Sequence, residues 1–303
     1  MKISIYLSII SVVLILFGCE KNNNGPVSSF FLFPAGRSFT GQSEIKVIIN
    51  NDTVTNPDFI CDSCGGYWIK IQKSVLPAGG QIIIIYTRRK GELVLFKEPG
   101  NIGQKWLSES QFIDCNNEAL KARANELTND YLNNIDKAKQ IQSFIENSMT
   151  FDPDHRDSFL EKASLTYDLK IGTCMNFSRL FVALCRAANI PARTIWGVVY
   201  DHDGGNIYDY HHQWAEVLDN TGYWHPVDFT YTKSFNLNDI RYLDLIYSAE
   251  ENTTIENRLS EEIILGNVKY FDNYPATVTG RLGFELVENK LPESMTIKYV
   301  FKF

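Results

Sequence analysis

The strongest helical pattern in the sequence covers residues 176–188, and strand patterns follow it directly along the chain. Apolar residues recur there at the i, i+3, i+4 and i+7 spacing of a helix that buries one face, namely Phe177, Leu180, Phe181, Leu184 and Ala188. Asn189 can adopt the left-handed backbone that ends a helix, and Pro191 cannot continue one. β-Branched and aromatic runs then predict strands at residues 193–200, 212–218 and 223–229. This part of the chain therefore combines one buried helix with several strands.

The segments on either side of this region differ from it in periodicity. Strand-like runs separated by glycine and proline turns predict a small β domain, a sandwich, at residues 30–112; the alternative is that they extend the central sheet. Helical stripes follow between residues 116 and 145, and the core is assigned to residues 113–245. The tail, residues 246–303, again carries strand patterns. We therefore expect a mixed core that lies between two β-rich segments.

The first residues have the composition of an export signal. One lysine precedes an apolar run at residues 3–17, and a small residue precedes a cysteine. The end of the run, Leu16-Phe17-Gly18-Cys19, resembles the lipobox of bacterial lipoproteins, in which the Cys becomes the first mature residue and carries acyl groups. An ordinary signal peptide or a single-pass anchor is the alternative. The resemblance implies a signal peptide at 1–18, a tether at 19–29, and a lipid bilayer as partner through acylated Cys19.

The charge balance excludes one class of partner. The formal net charge is −7, and it becomes −8 without residues 1–18, which contain one lysine and no acidic residue. Binding to nucleic acid needs a cluster of Lys and Arg that neutralises phosphates. An acidic chain without a long basic run therefore gives no indication of a nucleic-acid partner.

Cys174 follows Gly172-Thr173 and lies where the strong helix begins. The N–H groups and the partial positive charge at a helix N-terminus lower the pKa of a thiol and favour the nucleophilic thiolate. The same N–H groups can stabilise an oxyanion. Taken alone, the position favours a buried structural cysteine, which is the commoner role of a lone cysteine.

Two residues further along the chain favour the catalytic interpretation. A turn at residues 219–222 joins the strands that carry His212 and Asp228. A three-residue loop that pairs Leu218 with Gly222 would place His212 directly opposite Asp228, with Cβ atoms about 5 Å apart. A carboxylate there would orient the imidazole, which could exchange protons with the thiol and with the leaving group.

Four motifs in this order resemble the transglutaminase-like superfamily. They are Gly172-Thr173-Cys174, Arg186-Ala187-Ala188-Asn189-Ile190-Pro191-Ala192-Arg193, His212-x-Trp214-x-Glu216, and Pro226-Val227-Asp228-Phe229-Thr230. The resemblance covers about residues 138–230. It implies an α+β, papain-related core in which the helix bearing the Cys packs on an antiparallel sheet, and a catalytic triad of Cys174, His212 and Asp228.

The chain departs from the family in its oxyanion site. Crosslinking transglutaminases of eukaryotes have a Trp before the Cys, but no Trp lies between Trp106 and Cys174. The expected donors are the backbone N–H of Cys174 and a second group, for which Gln104 and Asn176 are both candidates. Trp214 is a further accessory candidate with the alternative of a core residue.

The remaining cysteines favour structural roles. Cys61 and Cys64 have zinc-ligand spacing, but a single pair is half a site, and in an exported chain a disulfide between them or with Cys115 is favoured. The acidic residues 152–157 lack the spacing of an EF-hand calcium loop. The sequence therefore predicts no metal and no cofactor.

The function that these features imply is a thiol enzyme that forms an acyl-enzyme on Cys174. The leading hypothesis is hydrolysis of peptide, isopeptide or side-chain amide bonds in a protein or peptide substrate at the cell envelope. One alternative is transfer of the acyl group to an amine, which crosslinks proteins. Another is a binding lipoprotein without catalysis, and a papain- or NlpC/P60-type peptidase fits the motifs less well.

Overall fold

A computed structural model describes residues 30–34, 43–61, 67–72, 75, 80–89, 91–98, 106–155, 161–203, 206–238, 242–247 and 294–302. Its first seven strands are β1 (Phe30–Pro34), β2 (Ser43–Ile49), β3 (Asp52–Val54), β4 (Asp58–Cys61), β5 (Tyr67–Gln72), β6 (Gln81–Arg89) and β7 (Phe96–Lys97). A mixed region follows, with α1 (Glu118–Thr128), α2 (Asn134–Ser148), β8 (Thr150–Phe151), α3 (Ala163–Leu169), β9 (Ile171–Gly172) and α4 (Cys174–Ala187). The last strands are β10 (Ala192–Asp203), β11 (Asn206–Leu218), β12 (Tyr223–Val227), β13 (Tyr242–Tyr247) and β14 (Ser294–Lys302).

The strands of the N-terminal segment form two antiparallel sheets, in the orders β1-β5-β4 and β14-β6-β2-β3. Ile82 and Ile84 of β6 are buried, as are Trp68 and Ile69 of β5. The last strand of the chain thus pairs with β6 of the N-terminal segment.

The central region contains a five-stranded antiparallel sheet in the order β13-β10-β11-β12-β7. Helix α4 is its most buried helix, because every residue from Met175 to Arg186 is buried against the sheet or the other three helices. A helix that is enclosed on all sides holds its first residue in a fixed position relative to the sheet. The predicted α+β class, with the helix bearing the Cys on an antiparallel sheet, is confirmed.

The sequence pattern predicts that the short strand β7 belongs to the N-terminal segment, but β7 pairs with β12 of the central sheet. Trp106 packs against this sheet, since its ring lies edge-on to that of Trp224 at 5.4 Å between centroids. Glu98 accepts hydrogen bonds from the indole N–H groups of both rings. The alternative that N-terminal strands extend the central sheet therefore holds for β7.

The hairpin β11–β12 corrects the predicted register. Leu218 pairs with Trp224, not with Gly222. The Asp219 N–H donates to the carbonyl of Tyr223, and the Asp219 side chain accepts from the N–H groups of Thr221 and Tyr223, so the ladder continues for one more pair. Gly222 takes the last loop position with a φ of +90°, which glycine adopts without strain. Because the loop still has an odd number of residues, His212 and Asp228 share a face, but they are diagonal neighbours and not directly opposite.

Candidate active site

Cys174 is the first residue of α4, and Thr173 caps the helix. The side chain of Thr173 accepts from the N–H of Asn176, while the Asn176 Oδ1 accepts from the N–H of Thr173 at 2.9 Å. This reciprocal capping box fixes where the helix begins. The N–H of Cys174 is among the first four of the helix, which no carbonyl within the helix can accept.

Ser178 joins the helix to the strand that carries the histidine. Its hydroxyl lies 2.8 Å from the carbonyl oxygen of Cys174 and 3.0 Å from that of Gln213 on β11. Ser178 is fully buried, so these contacts are shielded from water. The N-terminus of α4 is therefore held beside the residue that follows His212.

His212 and Asp228 form a buried pair. The Nε2 of His212 lies 2.9 Å from the Oδ1 of Asp228, with side-chain exposures of 7% and 1%. The other carboxylate oxygen accepts from the N–H groups of Tyr231 and Thr232 at 3.1 and 2.7 Å, and from the hydroxyl of Tyr242 at 2.7 Å. Because Nε2 faces the carboxylate, Nδ1 is the ring nitrogen that remains for the thiol.

The electrostatics of the three side chains favour a thiolate–imidazolium pair. Burial by itself would raise the pKa of Cys174, but the charge of His212, its hydrogen bond and the N–H of Gln213 together lower that pKa below its ordinary value. Burial would lower the pKa of His212, but Cys174 and Asp228 raise it to about 10. Burial also opposes the charge on Asp228, yet the hydrogen bond and charge of His212 hold its pKa well below the usual range. The sulfur is thus more readily ionised than an ordinary thiol, and it lies beside a proton donor.

The structure does not support Asn176 as an oxyanion donor. Its side chain is fully buried, and its amide N–H₂ group donates to the Oε2 of Glu161 at 2.8 Å and to the Oγ1 of Thr166 at 3.3 Å. An amide has two N–H donors, and both are engaged. Asn176 instead positions the helix start. The other candidate, Gln104, lies outside the described residues.

Trp214 is a buried neighbour of the histidine. Its ring lies 5.8 Å from that of His212 and has no exposed surface. The side chain therefore packs in the core behind His212, which matches the alternative that the sequence left open for it.

Cys115 has a free, buried thiol that lies 3.7 Å from the carbonyl oxygen of Leu107. The predicted option of a disulfide between Cys115 and Cys61 or Cys64 is therefore wrong for this structure. The Cys61 side chain and all of Cys64 lie outside the described part of the chain, as does the lipidation candidate Cys19. Cys185 is a second free thiol and is buried in the core.

Two charged or polar residues near the hairpin have structural roles. Arg193 forms a buried ion pair with Glu216 at 2.7 Å and lies over the ring of Trp224. His225 contacts the Oδ2 of Asp219 at 2.9 Å and the Oδ1 of Asn236 at 2.7 Å. Both fix the sheet that presents His212.

The four sequence motifs do not include Tyr242 or Ser178. Tyr242 reaches Asp228 because β13 pairs with β10, and no local motif reports such a pairing. Ser178 lies one helical turn after Cys174. A serine on the buried face of a helix is a weak indication that its hydroxyl bonds a backbone carbonyl nearby.

Comparison with known proteins places the motifs in a family. Residues 121–229 match the model of the transglutaminase-like superfamily. The uncharacterized protein YebA of Bacillus subtilis (strain 168) is 33% identical over 146 residues, which cover 41% of this chain and 19% of that protein. The match thus spans about a fifth of the length of this relative.

Two solved structures match the chain at low similarity. A proposed cysteine protease from Cytophaga hutchinsonii has 17% identity and a TM-score of 0.45, with coverage of 75% of this chain and 78% of that one. The periplasmic domain of TgpA from Pseudomonas aeruginosa, bound to ethylmercury, has 14% identity and a TM-score of 0.37, with coverage of 69% and 91%.

Proposed function

Since residues 121–229 belong to the transglutaminase-like superfamily, we propose that the chain is a thiol hydrolase that forms an acyl-enzyme on Cys174. The observation that carries this proposal is the arrangement of three side chains: a thiol of lowered pKa at a helix N-terminus, hydrogen-bonded to His212, which is bonded to Asp228. This arrangement supplies a nucleophile, a proton carrier and an orienting group. Its substrates are amide bonds of proteins or peptides.

The reaction follows from the protonation states of the pair. The Cys174 thiolate attacks the amide carbonyl carbon, and the negative charge that develops on the carbonyl oxygen is stabilised by the N–H of Cys174. The C–N bond breaks as imidazolium His212 gives its proton to the leaving amine. Water then attacks the thioester while neutral His212 takes its proton. The C–S bond breaks, the acid leaves, and the thiolate–imidazolium pair is restored.

Acyl transfer is the second candidate function, since an amine could attack the same thioester in place of water. The absence of a Trp between Trp106 and Cys174 in the sequence favours hydrolysis, because eukaryotic crosslinking relatives place an oxyanion-stabilising Trp there. A binding lipoprotein without catalysis is disfavoured by the complete set of three side chains. Mass spectrometry of the products, with and without a lysine analogue, separates the candidates: an amide adduct indicates transfer, and a free acid indicates hydrolysis.

We also propose that acylated Cys19 holds the enzyme at the bacterial cell envelope, at the outer membrane or the cell surface. The support is the lipobox-like Leu16-Phe17-Gly18-Cys19. Among the described residues, which begin at Phe30, no helix is long and apolar enough to cross a membrane. Labelling of the expressed chain by an alkyne fatty acid, and its loss in Cys19→Ser, tests the anchor.

The test of the nucleophile is covalent labelling of the purified full chain by an electrophilic thiol probe, followed by peptide mapping. We expect labelling at Cys174 and its loss in Cys174→Ala and Cys174→Ser. The matched controls are Cys115→Ala and Cys185→Ala, which remove buried thiols and should leave the label in place. Rapid labelling that persists without Cys174 would contradict the proposal.

A further inference from the structure

We propose that Tyr242 is a positioning residue that acts on His212 through Asp228. It adds a fourth side chain to the hydrogen-bonded series Cys174, His212 and Asp228. This inference rests on the proposed function. The Tyr242 hydroxyl lies 2.7 Å from the Oδ2 of Asp228, in a side chain with no exposed surface. Tyr242 lies beyond residues 121–229, so the part of the chain that matches the family model does not contain it.

The two oxygens of Asp228 have separate functions. Oδ1 receives His212, whereas Oδ2 receives the Tyr242 hydroxyl together with the N–H groups of Tyr231 and Thr232. The two N–H groups belong to the loop that directly follows Asp228, so they move with the carboxylate if that loop shifts. The hydroxyl comes from β13, which pairs with β10. Both strands lie on the opposite side of β11 from β12, the strand that leads into Asp228. The hydroxyl therefore ties the carboxylate to a second part of the sheet.

The Tyr242 ring is itself held in place. It packs edge-on against Trp214 at 5.3 Å between centroids and lies 5.9 Å from the ring of His212. Thr232 Oγ1 lies 3.1 Å from the hydroxyl, which adds a polar contact at the same end. A hydroxyl on a buried and fully packed ring loses little further entropy when it binds, so it fixes the plane of the carboxylate efficiently.

The chemical consequence lies at the sulfur. An oriented carboxylate keeps its hydrogen bond to Nε2 and stabilises the imidazolium, which in turn stabilises the thiolate. Without the hydroxyl, the carboxylate of Asp228 can rotate, and the imidazolium loses part of that stabilisation. The thiolate of Cys174 then needs a higher pH to form.

The test is the pH profile of Cys174 alkylation by iodoacetamide in the full chain. Tyr242→Phe removes only the hydroxyl, and we expect the acid limb of the profile to move to higher pH, with about tenfold slower alkylation on that limb for a shift of one pKa unit. Tyr167→Phe is the matched control, since Tyr167 packs against Phe144 in a part of the core that does not contain Tyr242. Thr232→Val, which removes the other side-chain donor to Oδ2, should shift the limb in the same direction and serves if Tyr242→Phe does not fold.

A double-mutant cycle shows whether the effect passes through the carboxylate. We expect Tyr242→Phe to change nothing further in an Asp228→Asn background, because the group on which it acts is already altered. Additive effects, or unchanged limbs in both Tyr242→Phe and Thr232→Val, would overturn the inference. A wild-type Cys174 that alkylates only as an ordinary thiol would contradict the proposed function itself, so the two failures are distinguishable.

Discussion

At the scale of single residues, Cys174 differs from the other free thiols of the described chain in what surrounds its sulfur. Burial raises the pKa of Cys115, and it raises the pKa of Cys185 well above the ordinary value. Burial acts to raise the pKa of Cys174 too, but the charge and hydrogen bond of His212 outweigh that effect and lower the pKa. The same residue type is therefore harder to ionise than an ordinary thiol at two positions and easier to ionise at the third.

This difference predicts a pH profile. Alkylation of Cys174 should continue at pH values below the ordinary thiol pKa of about 8.5, because its lowered pKa keeps the sulfur ionised there. Above about pH 10 the imidazolium of His212 loses its proton, and only an unpaired thiolate remains. Alkylation by iodoacetamide from about pH 4 to about pH 11, followed by peptide mapping, measures the profile for each cysteine separately.

Two histidines of the same hairpin provide the comparison for that profile. His212→Gln should move the midpoint for Cys174 up towards the ordinary thiol value, because the charge and the hydrogen bond are lost. His225→Gln alters a buried histidine that is also paired with a carboxylate, Asp219, but should leave the midpoint unchanged. Equal shifts in both variants would show that the low pKa does not come from His212.

The contrast between predictable and unpredictable residues has a physical origin. Cys174, His212 and Asp228 come from motifs whose spacing along a helix and a hairpin is local, so sequence parity alone places the last two on one face. The predicted pairing of Leu218 with Gly222 is wrong because the Asp219 side chain extends the ladder by one more pair. Counting residues in the loop does not reveal such a side-chain contact. The sequence allows Asn176 as an oxyanion donor, but its partners Glu161 and Thr166 lie in segments whose position only the packed fold determines.

At the scale of elements, the start of α4 depends on a glycine that packs against the cap. A Cβ atom added to Gly172 would lie 2.5 Å from the Cβ of Asn176, closer than real Cβ contacts. The side chain of Asn176 cannot move away freely, because it is bonded to Thr173 and Glu161. The capping box and the position of Cys174 therefore require a residue without a side chain two positions before the cysteine.

We expect Gly172→Ala to lower the free energy of unfolding by about 1–3 kcal/mol, the usual range for overpacking. It should also slow alkylation of Cys174, since the helix start has to move. Chemical denaturation and alkylation at neutral pH measure the two effects. Gly222→Ala is the matched control. The φ of +90° at Gly222 makes this change destabilising, but no atom lies within 4 Å of the added Cβ. Gly222 lies in the turn of the hairpin, remote from Cys174. If Gly222→Ala slows alkylation as much as Gly172→Ala, the explanation is general destabilisation.

At the scale of the whole molecule, the C-terminal strand joins a sheet of the N-terminal segment. Strand β14 pairs with β6 from Ser294–Arg89 to Lys302–Gln81, so the sheet β14-β6-β2-β3 is built from both ends of the sequence. The central sheet contains β7 and β10 to β13 and receives no strand from the tail after residue 247 within the described chain. The sequence indicated strands in the tail, but which edge they join depends on pairing across more than half of the chain, and such long-range contacts leave no local pattern.

This topology predicts that the tail stabilises the N-terminal sheet and not the active site. Deletion of residues 294–303 would leave β6 as an edge strand with unpaired N–H and C=O groups beside the buried Ile82 and Ile84. Hydrogen exchange should therefore become faster in residues 81–89 while α4 keeps its protection, and Cys174 should still be labelled by the thiol probe. Addition of a synthetic peptide of residues 294–303 should restore protection to β6, because it supplies the missing strand. Loss of protection in α4 to the same extent as in β6 would instead mean that the two sheets unfold together, and that the central core does not hold the catalytic side chains by itself.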